Sequence, residues 1–281
     1  ESRTYKSELE NGSKKTGSIK HMVFFTPLLN GKWGSAFSLL PFSTADYEFG
    51  GSSEVTDATP TESTDNIFIG SGGLSQFAWS NGFRIFNSTN IGFNLMYVFG
   101  AIDKQNQSSL ASDSSSMGYY TQLSSNETYK SFLFSVALAH KMKINETHEM
   151  NFGITYQHSG QLKGLKNVFL SRYIESSLLQ VGSLIPISNE ENTTFDLPKK
   201  LSFGLSYGLV DKYRIGLDIN LANWTSNGTN NTRVQNTQEF ILGGEMTPDS
   251  RNITNYLKRV TYRFGFNYGK LPYLVQNNSI N

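Results

Sequence analysis

Cysteine is absent from the chain, so no disulfide framework and no thiolate metal site can form. Also missing is any run of about 18 apolar residues, which excludes a transmembrane helix. A surplus of one charge is missing too. The 24 Lys and Arg residues meet 23 Asp and Glu, a formal net charge of +1. Nucleic-acid binders usually carry a basic face, so the balance argues against nucleic acid as a partner. Histidines are few, and His21, His140 and His148 have no carboxylate at metal-site spacing. The adjacent His158 and Ser159 would point to opposite faces of a strand and cannot pair as a dyad. Gly70-Ser71-Gly72-Gly73 is not followed by Lys-Ser/Thr and opens no helix, so it is no phosphate loop. The expectation is a protein without enzyme chemistry, cofactor or metal. Sequons at Asn11, Asn87, Asn126, Asn145, Asn223, Asn227 and Asn252 follow from a composition rich in Asn, Ser and Thr.

What the chain does contain is alternation. In Leu197 to Trp224, Leu201, Phe203, Leu205 and Tyr207 alternate with Ser202, Gly204, Ser206 and Gly208. After a turn at Val210-Asp211-Lys212, Tyr213, Ile215, Leu217, Ile219 and Leu221 alternate with Arg214, Gly216, Asp218, Asn220 and Ala222. Each strand therefore has one apolar and one small or polar face. The same pattern predicts strands over Ile19–Leu28, Trp33–Phe49, Asn66–Phe86, Ile91–Ile102, Tyr129–Ile144, Met150–His158, Gln238–Thr247 and Leu257–Tyr268. Pro41 interrupts the second of these, and a proline cannot donate to a ladder, so it implies a bulge or bend.

The connections alternate as well. Short ones fall at Asn30-Gly31, Asn87, Asn145 and Asp211, with a medium one at Asp249. Long polar ones fall at Gly50–Asp65, Lys104–Asn126, Ser159–Asp196 and Thr225–Asn236. Short turns at one end and long loops at the other are the mark of a bacterial outer-membrane barrel. Strands of about ten residues cross a bilayer when tilted, and no helical segment is available to cover the apolar faces. Aromatic residues at strand ends (Tyr97 and Phe99, Tyr156, Tyr207, Tyr213, Tyr262, Tyr268) suit interfacial girdles. The fold class expected is all-β: one antiparallel up-and-down transmembrane barrel over residues 1–281, integral to the bacterial outer membrane, with lipid or LPS as its surroundings. Both ends of the chain read as interior sequence.

With apolar faces outward, Arg214, Asp218, Glu239, Glu245, Arg259 and Arg263 point inward on three neighbouring strands, at similar depth near the short turns. Two readings stay open for them. One is a salt-bridged lumen floor or a set of partners for a further internal segment. The other is a site for a carboxylate headgroup, with an Arg making paired hydrogen bonds.

The words SFGLSY, YRIGLDINLANW, FILGGEMTP and RVTYRFGFNYGKLPYLVQNNSIN resemble the later strands of the FadL family of outer-membrane transport proteins. The Asn/Phe/Ser-rich style is similar to Bacteroidetes versions, whose relatives include the PorV and Plug barrels of the type 9 secretion translocon. The resemblance implies a fourteen-strand barrel, about eleven strands of which lie in this chain, lacking the N-terminal hatch, the first strand and the last three. It makes Pro41 the kink of the third strand, where that family's wall opens sideways. It implies passive uptake of hydrophobic compounds such as long-chain fatty acids, with a greasy mouth within Ser159–Ile187. The alternative is a non-enzymatic barrel that docks on or plugs a larger protein-export channel.

Overall fold

The structure is a computed structural model and describes residues 2–6, 11–15, 21–55, 62–110, 118–174, 177–224, 234–272, 274–275 and 278–279. Its strands are β1 (Ser2–Lys6), β2 (Asn11–Lys15), β3 (Met22–Leu28), β4 (Trp33–Thr44), β5 (Tyr47–Val55), β6 (Glu62–Phe86), β7 (Thr89–Leu110), β8 (Tyr119–Lys143), β9 (His148–Gln157), β10 (Gly160–Ile174), β11 (Gln180–Leu197), β12 (Lys199–Leu209), β13 (Tyr213–Asn223) and β14 (Thr237–Met246). After a one-turn helix α1 (Tyr256–Arg259) come β15 (Tyr262–Gly269), β16 (Leu274–Val275) and β17 (Asn278–Ser279).

Thirteen of these strands form one antiparallel sheet in the order β15-β14-β13-β12-β9-β8-β7-β6-β4-β3. β5 continues β4 along β6, and β10 continues β9 along β8. β11 pairs β10, then runs on across Pro198 into β12, which pairs β9. The sheet is therefore a wall of ten staves in chain order, the up-and-down topology expected. Its outer staves, β3 and β15, do not pair with each other among the described residues.

Paired residues share a face, so the registers trace the apolar face across the wall. Phe24, Phe37 and Trp79 continue into Leu95, Phe134, Val136 and Tyr156. Leu205, Leu217, Leu242 and Phe266 complete it. These side chains are uncovered: Phe132 is 68% exposed and Phe266 65%. An apolar belt of this extent left bare on every stave is the surface of a wall solvated by lipid. Within it, the indole N–H of Trp33 donates to Asn81 Oδ1 at 3.0 Å and that of Trp79 to Ser35 Oγ at 3.0 Å.

The expected long connections at Gly50–Asp65, Lys104–Asn126 and Ser159–Asp196 are overturned. β5 and β6 pair as far as Val55↔Glu62. β7 and β8 run to Leu110 and from Tyr119, and β10 (Gly160–Ile174) pairs β11 (Gln180–Leu197) as a hairpin. At about 3.3 Å per residue, the 25 residues of β6 and of β8 reach roughly 80 Å, far more than the ten or so residues a membrane needs. The excess stands beyond the apolar belt as a six-stranded panel ordered β5-β6-β7-β8-β10-β11. Sequence alternation failed there because both faces carry polar side chains. Asp103 faces Asn126 (2.6 Å) and Gln107 faces Gln122 (3.1 Å) on the side that is apolar lower down. Val168–Ile174 lies on β10 and most of Leu178–Ile187 on β11, so the apolar residues expected to make a greasy mouth are strand residues of this hairpin.

A seam of irregular backbone separates panel from belt. On the second stave the register slips by one residue between Pro41 and Ser43, the bulge expected at Pro41, and the strand breaks at Ala45-Asp46. Beside it Gly72 and Gly73 have φ of +96° and +150°, and on β7 Gly100 has φ of +150°. A Cβ at these three glycines would run into the backbone of the neighbouring strand. The seam continues through the β9–β10 break at His158-Ser159 and through Pro198. On its inner side Leu74, Met96, Val98, Leu133, Leu162 and Leu197 bury one another, with Phe42 and Ile102 packed against them. Val98 is 0% exposed and Leu133 2%, so at this level the inner face of the wall carries the protein's own apolar core.

Candidate functional site

The six charges singled out in the sequence separate into three places. Arg214 lies opposite Glu245, which lies opposite Arg263, on adjacent strands near the short turns. Glu245 accepts a hydrogen bond from Arg263 Nε at 3.3 Å and pairs as an ion with Arg214, whose Nη1 lies 3.7 Å away. One carboxylate between two guanidiniums leaves a net positive charge. All three side chains are well exposed.

Arg259 is not on a strand. The strand expected over Leu257–Tyr268 begins only at Tyr262, and residues 256–259 form α1. Asn255 caps this helix, its Oδ1 accepting from the Leu257 N–H at 3.0 Å, as Asn commonly does at a helix start. Tyr262 holds the turn closed by donating its hydroxyl to the Leu257 carbonyl at 3.1 Å. The Arg259 guanidinium sits 5.7 Å over the Tyr256 ring. Even so, Arg259 reaches the same concavity as Arg214, Arg263, Glu245, Lys212 and Asp211, a space of about 350 Å³. Four cations and two carboxylates line it.

Asp218 stands four residues up β13, opposite Ile241, and fills the space above Gly204, where an added Cβ would come within 2.7 Å of its carboxylate. Glu239 is six residues from Glu245, toward the other end of β14. The expectation of one cluster at one depth is therefore corrected: six residues of strand are roughly 20 Å. Glu239 accepts from Asn220 Nδ2 at 2.9 Å and Asn267 Nδ2 at 2.8 Å. It lines a second concavity of about 750 Å³ with Lys200 and Lys270 nearby. The smaller concavity is chiefly polar, whereas the larger one is lined by more apolar than polar surface.

A further charged group escaped the sequence reading because it lies in the stretch taken for a loop. Glu127 of β8 is buried in the panel's inner face. Lys104 Nζ reaches its Oε2 at 2.8 Å, the Tyr129 hydroxyl donates to Oε2 at 3.0 Å, and Lys166 Nζ lies 4.0 Å from Oε1. Burial pushes this carboxyl up, but the Lys104 hydrogen bond and charge, the Tyr129 hydroxyl and Lys166 together bring it below the ordinary range.

Pro41 faces outward opposite Ser75 on β6. On the other edge of its stave, β3 begins at Met22 opposite Leu39. From Leu40 upward no described strand pairs with that edge. His158 stacks on Phe134 (ring centroids 5.1 Å apart) and meets the Tyr156 hydroxyl at 3.4 Å.

Among known families, residues 1–281 match the model of the one described as BamG. No curated protein and no solved structure matches the chain. The family match and the all-β wall agree on a β-barrel of the outer-membrane type. The finer likeness to FadL, PorV and Plug rests on the quoted words alone.

Proposed function

Because the chain belongs to the BamG family, we propose that it serves as a non-enzymatic outer-membrane barrel subunit that docks on a larger membrane protein assembly. One observation carries this reading. The panel ends in β11, which among the described residues pairs β10 alone, and along it Val181, Leu184, Ile185 and Ile187 are exposed, with Leu178 and Leu179 at the tip. Exposed apolar rows beyond the membrane belt mark contact surfaces. Pro186 and the left-handed residues Gly182 and Glu190 break the regularity of this edge, the devices that stop an edge strand from templating aggregation. A side-chain interface is thus favoured over strand addition. A protein-export channel is one partner of this kind. The absence of cysteine makes the test clean: Leu184→Cys and Ile187→Cys introduce single thiols for crosslinking in intact cells. A defined crosslinked partner at these positions, and none from a cysteine at Phe266 in the belt, supports the reading. Crosslinks only to lipid, together with purification as a lone barrel, refute it.

Passive uptake of hydrophobic compounds is the second reading, favoured by the bulge after Pro41 beside an edge of its stave that no described strand pairs. Pro41→Ala tests it through uptake of a long-chain fatty acid. Uptake unchanged both in this variant and in a deletion strain removes it.

A further inference from the structure

On the outer face, the apolar belt stops abruptly. Along β8 the outward residues run Val136, Phe134, Phe132 and then Lys130. Along β7 they run Leu95, Tyr97, Phe99, with Phe99 opposite Lys130. Two pairs higher on this face, past Ala101 and Thr128, it is hydrophilic, with Asp103 bonded to Asn126. The level of Phe99 and Lys130 is therefore where hydrocarbon gives way to lipid headgroups.

At this level Lys163 of β10 stands directly opposite Lys130. Like charges facing each other across an antiparallel pair are destabilising, and both lysines are exposed. Among the described residues no carboxylate forms an ion pair with either. The nearest outward carboxylate along the hairpin, Asp196, is opposite Gln161 and accepts from its Nε2 at 2.9 Å. Phe99 stands beside Lys130 on β7, and one pair toward the belt Phe132 and Tyr97 pack with ring centroids 4.9 Å apart. Two unneutralised ammonium groups on one outward patch, at headgroup depth, with acyl-binding aromatic surface beneath, match one ligand: a lipid with an anionic phosphate head.

We propose that Lys130 and Lys163 clamp the phosphate of an anionic lipid in the leaflet on the panel's side, its chains lying over Phe132, Phe99 and Tyr97. This site is on the outside of the wall and does not depend on what the barrel carries or docks on.

The test uses the protein in neutral detergent, titrated with phosphatidylglycerol in phosphatidylcholine and read by native mass spectrometry. Each of K130Q and K163Q loses about fivefold in phosphatidylglycerol affinity, the usual worth of one basic residue at a membrane surface. K130R and K163R keep the binding. In pure phosphatidylcholine vesicles the Gln variants unfold at the same or a higher temperature than the unchanged protein, because they relieve the repulsion. Binding unaltered in K130Q and K163Q overturns the proposal, as does loss in the Arg and Gln variants alike. Inorganic phosphate that binds as tightly as the lipid assigns the patch to a free anion and also overturns it.

Discussion

The ring of Tyr47 occupies the space that a side chain at Gly70, its partner across the β5–β6 ladder, would need. Glycine is thus required at residue 70 by a cross-strand contact, and the aromatic ring covers backbone that would otherwise be bare. Gly70→Val should cost about 1–3 kcal/mol through overpacking. The loss should be confined to the β5–β6 hairpin, where hydrogen exchange accelerates while β12–β15 keep their protection. Equal acceleration throughout the wall would contradict a local role.

The belt predicts a sharp difference between the two faces of one strand. Leu217, outward at the middle of β13, faces Leu205 and Leu242. Leu217→Lys should cost about 2–4 kcal/mol, as a cation does near the midplane. The inward neighbour Gly216 has room for a methyl, with nothing nearer than 3.7 Å, so Gly216→Ala should stay within about 0.5 kcal/mol. Heat-modifiable migration after urea titration in detergent separates the two.

Glu127 gives the panel an acid limit. Its carboxyl lies below the ordinary 4.5, so the folded panel binds the ionised form preferentially. That stabilisation is complete above the ordinary value and is lost as pH falls through the lowered one. Exchange protection in β8 and β10 should be flat from neutral pH down to the ordinary value and fall below it. Glu127→Gln should remove this acid dependence. It should also cost about 1–3 kcal/mol, since hydrogen bonds to a buried charged group are lost.

Belt chemistry sets a third contrast. Asn81 is buried beneath the Trp33 indole and accepts its N–H. Asn81→Leu leaves that N–H without its partner in an apolar setting, at about 1–3 kcal/mol. The Trp33 contribution to fluorescence, isolated in a Trp79→Phe, Trp224→Phe background, should shift. Ser35→Ala should leave that contribution in place.

The parts of this wall that read plainly in the sequence are those with lipid on one side and small polar groups on the other. Leu201 to Tyr207 and Tyr213 to Leu221 alternate for that reason, and the turns at Asn30-Gly31 and Asp211 announce themselves by residues that accept positive φ. The panel was illegible because both its faces carry polar side chains. Asn66, Ser108, Asp103 and Asn126 pair across strands with the composition of a loop. Arg259 was misplaced because Val260, Tyr262 and Phe264 continue a period of two through a helix end. The Asn255 cap was the available signal. The depth of Glu239 was misjudged because face follows from parity alone, whereas depth needs the register against the neighbouring strands.

β6, β7 and β8 pass through the seam without a break, while the staves on either side of them are interrupted there. The two kinds of stave carry load differently. A pull on the tips of the three unbroken strands is shear, shared by every rung of two long ladders at once. A pull on β11 is a peel, resisted one rung at a time and stopping at Pro198. A partner that tugs on this protein would therefore strip the β10–β11 flap long before it moved the three central strands, which act as a mast stepped in the membrane.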